Sequence, residues 1–198
     1  MTVTADDLEA ATASVVSSLR PGTGQDWSAQ AGPLEWDCWH TAEHLGDCLL
    51  SYAAQLAVAP TGRYVRFLAS AEDGACAAEL LEFAEAGGRI LAGMIRTAPA
   101  STRAFHPSGM ADPAGFAAMG CTEMLLHGND IAQGLGLSLD PPRQVCHRTL
   151  ARLFPEVAAD LAGTDPWAAL QWATGRTELP GHPRREQWRW RGAPLGEG

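Results

Sequence analysis

Apolar residues recur with a helical period along several stretches of this chain, separated by turn-forming and proline-containing segments. Thr4 reads as the N-cap of a first helix over residues 5–19, which stops at Pro21-Gly22. A second helix is predicted from about Cys38 to Ala57. It carries Cys38, Thr41, Ala42, Leu45, Cys48, Leu49, Tyr52 and Leu56 on one face, and Pro60 lies beyond its end. A third fits Gly74 to Arg96, with Leu80, Leu81, Phe83, Ala84, Ile90, Leu91 and Met94 turned to a core. The fourth, over about 114–134, is apolar nearly all round. A fifth begins after Pro141-Pro142 and runs over roughly 143–154, with Pro155 near its end, and Trp167–Ala173 reads as a short further helix.

Between these elements, residues 63–69 fit a short strand or an extended crossing segment. Residues 97–113 hold Pro99, Pro107 and Pro113 and read as a loop. The run Gln187-Trp188-Arg189-Trp190-Arg191 fits a strand or an extended lid. Long helices with few strands predict an all-α fold built as a helical bundle. The expected organisation is one domain over 1–198, with a core over about 5–157 and a C-terminal extension over about 158–198.

The fourth helix is the informative one. From Ala114 to Leu135 the only carboxylate, imidazole or basic side chains are Glu123, His127 and Asp130. Their spacing of i, i+4 and i+7 stacks them on one helical face. A helix this apolar is normally buried, and buried carboxylates and imidazoles are costly unless paired or bound to metal. A metal centre of two histidines and one glutamate needs one more imidazole, from another helix. The second helix offers His40 and His44. With Leu45 at the middle of its apolar face, His44 borders a groove between helices and His40 lies farther toward solvent, at its rim.

Other readings stand beside this one. The Glu-x-x-x-His spacing alone is common by chance, and His127 also fits a core histidine bonded to Glu123 or to a carbonyl. Asp130 could orient a ligand histidine, bind substrate, or pair with an arginine at the helix end. His106 and His182 lie in proline-containing loops and read as solvated. His147, among Arg143, Arg148 and Arg152, reads as part of a polar helix face. Trp36 and Trp39 read as packing residues.

Composition narrows the function. A formal charge of −9 argues against a nucleic-acid partner, since phosphate binding needs clustered cations. All 14 basic residues are arginine, so a lysine Schiff base and a P-loop are excluded. The five cysteines, Cys38, Cys48, Cys76, Cys121 and Cys146, form no C-x-x-C pair and read as core packing. The absence of a membrane-length apolar run and of a signal-peptide pattern predicts no membrane partner and a cytoplasmic location. Arg89, Arg96 and Arg103 are candidate anchors for a carboxylate substrate. An exposed bundle face would support a homodimer.

With these residues in place, the chain resembles the DinB/YfiT-like superfamily, and within it the actinobacterial mycothiol-dependent maleylpyruvate isomerase N-terminal-domain family. The matching pieces are Trp36, His44-Leu45, Glu123-x-x-x-His127-x-x-Asp130 before Gly134-Leu135, and Trp172-Ala173-Thr174-Gly175-Arg176. The similarity is clearest over about 5–140. It implies a four-helix bundle with a divalent metal, zinc first and nickel or iron as alternatives, held by His44, Glu123 and His127. It also implies transfer or isomerisation of a small electrophilic substrate, assisted by a low-molecular-weight thiol such as mycothiol. The rival expectation is a protein that uses the same groove to sequester a small molecule without catalysis.

Overall fold

The computed structural model describes residues 2–197. Its elements are α1 (Ala5–Leu19), a short 3-10 turn (Arg20–Gly22), α2 (Cys38–Val58), α3 (Ala77–Thr97), α4 (Pro113–Gly134), α5 (Arg143–Leu153), α6 (Pro155–Asp160) and α7 (Pro166–Ala173). The protein is all-α. Among the described residues, β pairing is limited to the isolated bridges Gln30↔Asp37, Ala104↔Ala111 and Leu179↔His182.

Local chemistry sets the helix starts. Thr4 and Asp7 form a reciprocal capping box on α1, and Asp37 and Asp112 cap α2 and α4 by accepting from the His40 and Gly115 amides. The third helix begins at Ala77 rather than Gly74. Gly74 has φ +86° and turns the chain, and Cys76 with Glu79 caps α3. The helix expected over 143–154 breaks at Phe154, and Pro155 opens α6 instead of ending α5.

α1 and α2 each pack against both α3 and α4, and α4 also contacts α3 and α5. α4 therefore lies at the centre, which explains its lack of a polar face: Phe116, Met119, Met124, Leu125 and Ile131 are all fully buried. The α2–α3 approach is close. A Cβ on Gly87 would lie 3.1 Å from the Gly46 carbonyl oxygen. α5 is tied to α1 by the ion pair of Arg148 with the buried Asp7.

Two segments with a strand reading form no strand, and a further loop packs against the bundle. Residues 63–69 form no strand. The buried Gln55 holds them, accepting from the Val65 amide and donating to the Phe105 carbonyl. Residues 187–191 cross the bundle in an extended path without strand pairing, Trp188 tilting against Phe154. The loop over 23–37 folds back on α4, with Gly32 at φ +48° placed against the Asp130 backbone. No helix among the described residues is long and apolar enough to cross a membrane.

Candidate metal centre

α2 and α4 face each other, and each contributes one helical stripe to their interface. Four-residue spacing stacks His44, Cys48 and Tyr52 on α2. The stripe on α4 is Glu123, His127 and Asp130. The rings of His44 and His127 meet edge to face with centroids 5.3 Å apart. His127 Nε2 is 3.2 Å from Glu123 Oε2, and His127 Nδ1 faces Asp130 Oδ2 at 3.4 Å. The other Glu123 oxygen accepts a 3.1 Å bond from the Tyr52 hydroxyl. Arg176, from the segment after α7, donates to Asp130 Oδ2 at 3.0 Å.

Burial shapes the charges here. It opposes protonation of His127, but Asp130 and Glu123 outweigh it and raise the imidazole pKa to about 9. Burial also works against the Glu123 carboxylate, and His127, His44 and Tyr52 overcome it, holding its pKa below the usual value. His44 moves the other way: burial, with the neighbouring positive His127, favours its neutral form. Burial, with the Glu123 charge beside it, pushes the Cys48 thiol well up.

A cleft of about 540 Å³ opens beside His44. Trp36 stands over it, 49% exposed, its ring edge-on to His44 at 5.1 Å. Glu35, Glu43 and Asp47 give the walls a negative lining. Glu43 and Asp47 also accept from the Ala71 and Ala69 amides, which fixes the strip of chain forming the opposite wall. His40 lines the cleft at its solvent edge, its Nδ1 2.7 Å from Asp37.

His44, Glu123, His127 and Asp130 come together as the helical faces suggest. The three arginines considered as substrate anchors do not join them. Arg89 pairs with Glu85, Arg96 with Asp6 and Glu9, Arg103 with Glu197, and none lines the cleft. Trp36 is exposed over the site rather than packed in the core. His106, expected in solvent, is buried with its ring near Tyr52, Tyr64 and Trp190. Arg152, read as part of a polar face, is buried and pairs with Asp112.

Sequence reasoning does not single out Cys48, Tyr52 or Arg176 as site residues. Four-residue steps from His44 point to the first two, which apolar periodicity assigns to packing. Arg176 reaches Asp130 across 46 positions of sequence, and no local pattern marks that contact.

The donors suit a divalent cation: the His44 ring and the Glu123 carboxylate approach each other from two helices, His127 borders them, and Asp130 stands at the far nitrogen of His127. A carboxylate in that place fixes the ring and tautomer of a metal-bound histidine. Comparisons with family models, curated proteins and solved structures give no match.

Proposed function

We propose that this chain is a DinB-like four-helix-bundle protein acting as a metal-dependent thiol transferase or isomerase. His44, Glu123 and His127 would hold the divalent metal, zinc by preference. The co-substrate would be a low-molecular-weight thiol of the mycothiol type, and the second substrate a small electrophile. The observation that carries this reading is the meeting of His44 and His127 at 5.3 Å with Glu123 against His127 at 3.2 Å. A cation bound there would supply Lewis acidity that lowers the pKa of an adjacent thiol toward neutrality.

The remaining residues position and admit. Tyr52 fixes one oxygen of Glu123, leaving the other directed to His127. Asp130, anchored by Arg176, orients the His127 ring. Trp36 offers an aromatic face at the mouth of the cleft. The Glu35, Glu43 and Asp47 lining repels a carboxylate, so the electrophile is neutral or cationic in this reading.

Metal analysis of the purified chain, followed by Zn²⁺ titration of chelator-treated protein, tests the reading. One equivalent of tightly held metal is expected, with affinity reduced at least about a hundredfold in His44→Ala. Failure to bind any of Zn²⁺, Ni²⁺ or Fe²⁺ would remove the proposal. Thiol consumption assayed against a panel of electrophiles then separates an enzyme from a binding protein, which would take up the small molecule without consuming thiol.

A further inference from the structure

We infer that Cys48 is itself a ligand of this metal site, a role that rests on the metal-binding reading above. A ring nitrogen of His44, Sγ of Cys48 and a carboxylate oxygen of Glu123 all lie within 4.8 Å of one another. Tetrahedral zinc with bonds of about 2.0–2.3 Å separates its ligands by somewhat under 4 Å, so small side-chain rotations bring all three onto one ion. His127 stands at the edge of this group, its Nε2 engaged with Glu123.

The backbone favours such a set. His44 and Cys48 are one turn apart on α2, a spacing that points both side chains toward one place. Glu123 faces them from α4, and Tyr52, one turn beyond Cys48, holds the carboxylate from behind. The remaining cysteines have other surroundings. Cys38, Cys121 and Cys146 are buried in the core, and Cys76 is exposed at the start of α3. Among the described residues, His44, Cys48 and Glu123 are the one group of three such donors whose ligand atoms already lie within 4.8 Å of one another, and His127 would join them by turning its ring.

A sulfur donor changes what the site selects. Imidazole and carboxylate alone accommodate most divalent first-row metals, whereas a thiolate shifts preference toward thiophilic ions and away from Mg²⁺, Ca²⁺ and Mn²⁺. The mixed nitrogen, sulfur and oxygen set therefore assigns this chain a zinc-type site. Cys48 functions there through its sulfur rather than as packing.

Cobalt(II) reports the sulfur directly. The full chain, stripped with a chelator and titrated with Co²⁺, should develop visible d–d bands of a low-symmetry site together with a near-ultraviolet thiolate-to-cobalt charge-transfer band. Cys48→Ser should keep the d–d bands and lose the charge-transfer band, with affinity about tenfold or more weaker. Cys121→Ser should keep both. Visible bands without charge transfer in the unaltered chain would overturn the role of Cys48 and leave the metal site standing. A charge-transfer band that survives in Cys48→Ser would overturn it too. Absence of any cobalt spectrum would overturn both readings. Should the serine variant fail to fold, Cys48→Ala, read in the same way, decides the question.

Discussion

Two largely buried histidines of this protein shift in opposite directions. His127 lies between Glu123 and Asp130, and the paired carboxylates outweigh its burial. His106 sits among aromatic rings, where burial lowers its pKa to about 4 against a weak pull from Glu123. The unfolded chain binds its proton near pH 6.5, so between about 6.5 and 4 the unfolded state is the more protonated one. Stability linked to His106 is therefore intact above pH 6.5 and falls as pH drops toward 4. The loss is about 2 kcal/mol once partial solvent screening is allowed for. Thermal unfolding of His106→Phe and the unaltered chain at several pH values checks this: the variant should gain relative stability only below about pH 6.5. A difference independent of pH would refute it. Neither the burial of His106 nor the approach of Cys48 to His44 and Glu123 is legible locally. The rings around His106 come from Tyr52, Tyr64 and Trp190, far apart in sequence, and a cysteine at an apolar helical position looks the same whether it faces core or cation.

Helices are legible because their signals are local. Thr4, Pro21 and Pro113 mark boundaries through capping and backbone constraint alone, and the period of α2 places His44 at the border of its apolar face. Loops are less so, because the Gln55 bonds that hold residues 63–65 depend on the finished fold. Two glycines show how tertiary context overrides propensity. Gly93 lies exposed within α3 with open space where a Cβ would go, so Gly93→Ala should stabilise by about 0.5–1 kcal/mol. Gly134 ends α4 against the Gln30 carbonyl oxygen and Cys38 Sγ, and an added methyl would overlap that backbone. Gly134→Ala should cost about 1–3 kcal/mol despite its better helix propensity. It should also weaken metal uptake modestly, since the loop it displaces leads to Trp36 and the cap of α2. Opposite signs for the two substitutions in chemical denaturation are the expected outcome. Equal signs would refute the packing account.

At the scale of the whole molecule, the segment after α7 ties the helices to the site. Arg152 donates to the Arg191 and Gly192 carbonyls, the Arg191 amide donates to Leu153, and Glu197 pairs with Arg103. At its start, Arg176 reaches inward to Asp130, whose side chain is completely buried. An ion pair in this setting gains little over apolar packing, but removal of one partner strands the other charge. Arg176→Met should thus cost about 3 kcal/mol of stability. Asp130→Asn leaves an arginine that is slightly exposed and should cost less. If the pair acts as a unit, the double variant will be more stable than the sum of the single losses predicts, by about 1–2 kcal/mol. Position matters beyond stability, because Asp130 faces the His127 ring at 3.4 Å and in the proposed site would orient it. Zinc affinity should fall about tenfold to a hundredfold in Arg176→Met and recover little in the double variant, which lacks the orienting carboxylate altogether. Additive stabilities would show that the two residues act independently, and unchanged zinc affinity would detach the C-terminal segment from the site.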